Sequence, residues 1–184
     1  MQFTKMQGLG NDYVYVDFRQ EQVDDPAAVA RAISDRHFGV GADGLILILP
    51  SDKADVRMRM FNADGSEGMM CGNGIRCVAK YSWDHGLSKA NPMRVESAAG
   101  VKTIDLVVGD DGKVASATVD MGEPILDAAD IPVNMRQRRV IDVPIRTSKH
   151  AYSTMTCVSM GNPHAVIFVD DASAVPLEQV GPEI

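Results

Sequence analysis

The chain is poor in aromatic residues, in cysteine and in basic charge, and it has no long apolar run. No stretch of about 18 consecutive apolar residues occurs among its 184 residues, so no segment reads as a membrane-spanning helix. The opening residues, MQFTKMQGLGND, contain no apolar core of a secretory signal, and no secretory leader is expected. Aromatic residues make up 5% of the chain, which disfavours a base-stacking platform for single-stranded nucleic acid. Lys and Arg total 18 against 25 Asp and Glu, a formal charge of −7. That balance argues against nucleic acid and against an anionic membrane surface as main partners. It leaves small zwitterionic or cationic ligands open. Three cysteines without a secretory leader read as free thiols in a reducing cytoplasm.

What is present is ordinary for a globular protein: 45% hydrophobic and 23% charged residues. The length suits one large domain or two small ones. MQFTKMQ alternates as a half-buried strand does, GLGND interrupts it, and YVYVDF reads as the next strand. PAAVARAISDRHFG opens with Pro26 and has helical spacing, with Gly39 as its expected C-terminal cap. GLILIL and VRMRMFN read as strands and NADGSEG as a turn. GNGIRCVAKYSWDHG reads as a helix with Ile75, Val78, Ala79 and Trp83 on one face, stopped at Gly86. Residues 93 to 122 read as hairpins turning at Gly100 and GDDG. RRVIDVPIRT, YSTMTCVSMGN and HAVIFVDD read as further strands, and the tail as a helix or loop. Pro and Asp accumulate in MGEPILDAADIP, which suggests two domains, 1–118 and 119–184.

Two segments echo one another. KMQGLGNDYVYVDF and TCVSMGNPHAVIFVDD both run strand, Gly-Asn, strand, Asp, matching Gly10-Asn11 with Gly161-Asn162. If the echo reflects a duplication, the 60 residues from Asn11 to Cys71 place a counterpart helix about 60 residues after Asn162, near position 222. GVGADG matches a dinucleotide-binding glycine pattern letter for letter, but that pattern needs a strand before it and a helix after it. Here the order is reversed, so a helix-to-strand loop with positive φ is the expected role.

EGMMCGNGIRC, residues 67 to 77, holds two of the three cysteines. Structural zinc sites space their cysteines two to four residues apart and add a second pair, which is not the pattern here. A disulfide fails on length: six residues of helix separate the Cα atoms by roughly 9 Å. Cys77 and Cys157 read as small packed side chains. Cys71 is different, because a helix starting at Gly72 makes it the N-cap. The unpaired N–H groups of a first turn and the helix dipole both favour an anion there, an environment that suits a reactive thiol. Gly72 and Gly74 leave room for a ligand carboxylate at the same N–H groups, and Asn73 adds an amide. A carboxylate held there would bring an adjacent α-carbon to the sulfur, an arrangement for proton abstraction. A glycine-rich helix start around a merely buried cysteine fits the same residues.

NADGSEGMMCGNGIRC closely resembles diaminopimelate epimerases, and FTKMQGLGNDYVYVD, DRHFGVGADGLIL and VSMGNPHAV match that family in the same order. The resemblance spans essentially the whole sequence. It implies an α/β (α+β) fold of two pseudo-symmetric domains, each a mixed sheet rolled around a central helix, with substrate in the cleft between them. It implies an isomerase of lysine biosynthesis that interconverts LL- and meso-2,6-diaminopimelate with neither pyridoxal phosphate nor metal. Two cysteines on opposite sides of the α-carbon take and return the proton. By that resemblance Cys71 is the first catalytic cysteine. Gly72 and Asn73 hold the substrate carboxylate, Asn11, Asn62 and Asn162 bind substrate, and His164 tunes the thiols. Some members carry a substrate-contacting glutamine at the place of Gly44, so no role is carried to that position.

The family's second cysteine opens a helix in an ACGTG-like stretch after a Glu-Arg pair, and these residues do not contain it. The sequence therefore reads as the first domain plus part of the second, a fragment expected to be inactive alone. The expected ligand is diaminopimelate, without nucleic acid or membrane, and the reading admits a homodimer. Proline racemase-like or phenazine-pathway-type isomerases and a non-catalytic ligand-binding remnant are the competing readings.

Overall fold

A computed structural model describes residues 1–147 and 151–184, with the backbone alone for residues 151–153. The chain divides into two compact units, Met1–Met121 and Gly122–Ile184.

The first unit is a curled mixed sheet with one helix on each face. Its elements run β1 (Thr4–Gly8), β2 (Asn11–Asp17), α1 (Pro26–Ser34), β3 (Gly44–Leu49), β4 (Val56–Asn62), β5 (Glu67–Gly68), α2 (Gly72–Asp84), β6 (Met93–Ser97), β7 (Gly100–Val108) and β8 (Val114–Asp120). The strand order is β1-β2-β3-β4-β6-β7-β8, with β5 paired to β4. Hairpins join antiparallel neighbours. The two parallel pairs, β2 with β3 and β4 with β6, need crossovers, and α1 and α2 supply them.

Period-two alternation assigns the faces of the central strands. Tyr13 and Tyr15 of β2 and Ile46 and Ile48 of β3 point to the side of α2, joined by Met58, Met60, Met93, Val95 and Ile104. Val14, Val16, Leu45 and Leu47 point the other way, against Ala30 of α1. These strands are buried on both faces and so read as continuous apolar runs. α2 packs against β1, β2, β4, β6, β7 and β8, so the sheet wraps around it. Ile75, Val78 and Ala79 are fully buried along its inner stripe.

Gly44 is dictated by the sheet. A Cβ there would lie 2.0 Å from the carbonyl oxygen of Phe61 on β4 and 2.9 Å from the Tyr13 ring. Any side chain would push β3 away from its neighbour.

The second unit holds β9 (Val143–Arg146), β10 (Ala151–Ser159) and β11 (Pro163–Val166) in the order β11-β10-β9, followed by α3 (Leu177–Val180). Its core gathers Ala128, Ile131, Val140, Met155 and Cys157.

Most sequence-predicted elements are present, including the α2 helix ending before Gly86 and the hairpins turning at Gly100 and Gly112. Three expectations need correction. Gly39 does not cap α1, which ends at Ser34. Asp35 explains this: its carboxylate accepts the N–H groups of His37 and Phe38, both at 2.7 Å, and draws the chain out of the helix. The turn NADGSEG contains the two-residue strand β5, which folds back on Met60 and Phe61. In HAVIFVDD, pairing stops at Val166. Among the described residues no helix is long and apolar enough to cross a membrane.

Candidate active site

The site forms where β2 begins, where β1 and β4 end, and where α2 starts. Cys71 is the N-cap of α2, with extended backbone at φ −138° and ψ 109°. Its Sγ accepts the N–H of Gly74 at 3.2 Å, and the Ile75 N–H bonds the Cys71 carbonyl at 2.9 Å. The N–H groups of Gly72 and Asn73 find no acceptor among the described residues. Two of the donors that every helix start leaves over are therefore open to a ligand.

The glycines decide how close a ligand can come. A Cβ on Gly72 would meet only the tip of Met121, at 3.9 Å, so there is room for a further atom beside Gly72. A Cβ on Gly74 would lie 2.7 Å from Ile46 Cδ1 and 3.4 Å from Cys71 Sγ. Gly74 thus lets α2 sit down on β3 while keeping its N–H against the sulfur. Asn73 uses its Oδ1 to accept from Arg76 Nη2 at 2.5 Å, and its amide NH2 has no partner among the described residues.

Asn11, at the start of β2, lies 60 residues from Cys71 in sequence and in contact with it in space. The Cys71 thiol donates to Asn11 Oδ1 at 3.2 Å. Asn11 Nδ2 donates to Asp43 Oδ2 at 2.7 Å, and that oxygen also accepts the Asp12 N–H at 3.1 Å. Arg36 Nη2 binds both Asp43 Oδ1 and Asp12 Oδ1 at 2.9 Å. Lys5 completes the cluster 3.0 Å from Asp12 Oδ2. Arg36, and then Lys5, hold the Asp12 carboxyl well below the usual carboxylate range against the opposing effect of burial.

Tyr13 closes the inner side. Burial, and then the neighbouring Cys71, push its hydroxyl up to about 12, so it stands beside the sulfur as a neutral group at ordinary pH. Asn62 ends β4 opposite Gly44. Its Nδ2 donates to Ser66 Oγ at 3.0 Å and its N–H bonds the Ser66 carbonyl, so in this structure it shapes the β4–β5 turn.

The other two cysteines are set differently. Cys71, Cys77 and Cys157 are all free thiols. Cys77 is buried on the inner face of α2 against Tyr15, and burial pushes its thiol up. Cys157 is buried mid-strand in β10, and burial again raises it. Neither has the open helix start that Cys71 has.

The structure thus brings Asn11, Cys71, Gly72 and Asn73 together in the first unit. Asn62 lies on the neighbouring strand end. Asn162, in the turn between β10 and β11, and His164, in β11 opposite Val158, are both exposed in the second unit. Sequence reasoning passed over Tyr13, Asp12, Arg36 and Asp43. Tyr13 was findable, because it shares the face of Asn11 at a spacing of two. Asp43 lies inside the glycine pattern GVGADG, whose spacing signals only a loop.

The sequence model of the family described as diaminopimelate epimerase matches residues 3–126. A diaminopimelate epimerase from Agathobacter rectalis is 57% identical over 99% of this chain and 66% of its own length. Those from Acetivibrio thermocellus and Methanococcus maripaludis are 53% and 50% identical, over 100% and 99% of this chain and 65% of theirs. The chain therefore spans about 65% of the length of these relatives. Among solved structures, a hydroxyproline epimerase from Agrobacterium vitis aligns with a TM-score of 0.63 at 16% identity, over 97% of this chain and 52% of that one. A Bacillus anthracis protein of the phenazine biosynthesis PhzF family aligns at 0.56 and 20% identity, over 90% and 53%. These two likenesses show the fold alone, a mixed α/β architecture.

Proposed function

Since the chain belongs to the diaminopimelate epimerase family, we propose that its first unit carries one of the two acid–base groups of a cofactor-independent epimerase. Its substrate is 2,6-diaminopimelate, interconverted between the LL and meso forms for lysine biosynthesis. Cys71 is the group that exchanges a proton with the α-carbon. The observation that carries this reading is the open start of α2: a thiol at the N-cap beside two N–H groups without an acceptor among the described residues, with room for a further atom beside Gly72.

The chemistry follows from the geometry. The α-carboxylate of the substrate binds the N–H groups of Gly72 and Asn73, where the helix dipole favours negative charge. Its α-carbon then lies next to Cys71 Sγ. As the α-proton leaves, charge develops on the carboxylate, and fixed N–H donors stabilise it there. Inversion needs a second group on the opposite face, one taking the proton as the other returns one. Cys77 and Cys157 are each packed in the core of their own unit, so the second acid–base group of this reading is none of the three cysteines of this chain. Asn11, Asn62 and Asn162 supply hydrogen bonds to substrate, and His164 assists the thiols.

Conversion of LL- to meso-diaminopimelate, followed by chiral chromatography, tests the proposal on a protein extended to the length of the relatives. The Cys71→Ala form should lose conversion by at least about a thousandfold. Conversion at the wild-type rate would overturn the assignment. The 184-residue chain alone should show none. Turnover of proline in place of diaminopimelate would move the reading to the racemases that share the fold.

A further inference from the structure

We propose that Asp43 is a positioning residue that locks the Asn11 amide in one orientation, so that Cys71 rests as the proton-donating member of the pair. The proposal builds on the epimerase reading and adds to it which form of Cys71 the resting site is built for.

Both ends of the Asn11 amide are engaged, and Asp43 decides which end faces the sulfur. A carboxylate only accepts hydrogen bonds. Asp43 Oδ2 sits 2.7 Å from the Asn11 nitrogen. Turning the amide over would set oxygen against oxygen at that distance, so Nδ2 must face Asp43 and Oδ1 must face Cys71. The carboxylate itself has little freedom. It accepts the Asp12 N–H on Oδ2 and Arg36 Nη2 on Oδ1, and the Asp43 N–H bonds the Asp12 carbonyl at 2.7 Å. Arg36 is fixed in turn by both oxygens of Asp12, at 2.9 and 3.3 Å.

The sulfur consequently lies between one donor and one acceptor. The Gly74 N–H points at it from 3.2 Å, and it points at Asn11 Oδ1 across 3.2 Å. A thiol satisfies both contacts. A thiolate would satisfy only the first and would face a carbonyl oxygen with its own lone pairs. The neutral Tyr13 hydroxyl stands beside both Cys71 and Asn11 and is a donor available to the sulfur whichever way the amide points, and the charge of Asp43 is balanced by Arg36. Orientation of the amide is the contribution that Asp43 controls, and with Oδ1 towards the sulfur it favours the thiol. In a catalytic cycle starting from this arrangement, the opposing group removes the α-proton. Cys71 then delivers its S–H proton to the other face of the carbanion and is left as the thiolate.

Alkylation with iodoacetamide tests this without substrate, on the 184-residue chain at one fixed neutral pH, read at each cysteine by peptide mass spectrometry. Asp43→Asn frees the amide to turn its nitrogen to the sulfur. Cys71 alkylation should then accelerate by roughly fivefold, the scale of one ordinary hydrogen bond. Asn11→Ala removes the acceptor and should accelerate Cys71 by a similar factor. Adding Asp43→Asn to Asn11→Ala should change nothing further, because Asp43 acts through Asn11. Cys77 and Cys157, both buried, should stay slow in every variant and report an intact fold. The proposal is overturned if Asp43→Asn leaves Cys71 unchanged or if its effect persists in the Asn11→Ala background. A rise of Cys77 in step with Cys71 would equally overturn it, by showing a merely structural role. Should Asp43→Asn not fold, an unchanged Cys71 rate in Asn11→Ala decides against it alone. Because no turnover is read, failure here leaves the epimerase reading standing, and failure of epimerisation leaves the lock standing.

Discussion

Replacing Cys71 by serine and by alanine separates the two roles the structure gives that residue. As N-cap it accepts the Gly74 N–H, and as a thiol it is the proposed proton carrier. Serine is among the preferred N-caps, and its oxygen can take the same N–H bond. Alanine leaves that N–H and Asn11 Oδ1 without their partner. Loss of a cap to alanine costs about 0.5–2 kcal/mol, so the serine form should be more stable than the alanine form by about 1 kcal/mol. In a chain of this length that corresponds to roughly 2–4 °C in Tm. Both variants should fail to invert the α-carbon, because an alcohol at its ordinary acidity is a far weaker proton carrier than a thiol. Urea denaturation followed by circular dichroism gives the first comparison, and conversion of LL- to meso-diaminopimelate by the extended protein gives the second. An alanine form at least as stable as the serine form would refute the capping argument. Conversion at the wild-type rate by the serine form would refute the sulfur chemistry.

Two further predictions concern the unit that holds the site. Gly44→Ala places a Cβ 2.0 Å from the Phe61 carbonyl, so β3 and β4 must part. A loss of about 3 kcal/mol, the upper range for overpacking, should appear in the urea midpoint, and an unchanged midpoint would mean the strands can yield. Tyr13 titrates near 12 in the folded chain and near 10 unfolded. Its raised value means that stability present below pH 10 is lost as pH climbs from 10 towards 12, because only the unfolded chain ionises there. Tyr15, raised as well by burial, adds to the same loss. Tyr13→Phe should flatten the decline by about 2 kcal/mol across that window; a stability profile parallel to wild type would show that Tyr13 does not carry it.

Much of the first unit was legible because its signals are local. Pro26 opens α1, the stripe of Ile75, Val78 and Ala79 defines α2, and the doubly buried strands β2 and β3 announce themselves as apolar runs. Cys71 was readable as an N-cap from the glycines that follow it. The misreadings came where side chains compete with the backbone. Asp35 draws its two N–H groups out of the helix pattern, and nothing periodic marks that. The contact between Asn11 and Cys71 spans 60 residues and depends on the curl of the sheet around α2. Sequence spacing supplied the number but not the meeting. Asp43 was invisible for a related reason: its role appears only when the β2 start and the α1–β3 loop lie side by side, as the Asp43–Asp12 backbone bond makes them.

The central claim is that Cys71 Sγ exchanges a proton with the α-carbon of diaminopimelate bound at the start of α2. Appearance of solvent deuterium in the inverted isomer, followed by NMR and chiral chromatography in D2O for the extended protein and its Cys71→Ala form, tests it most directly. The account predicts α-deuterated meso-diaminopimelate from the LL isomer with the wild type and no inverted isomer from Cys71→Ala. Equal formation of the deuterated inverted isomer by the two proteins would contradict it.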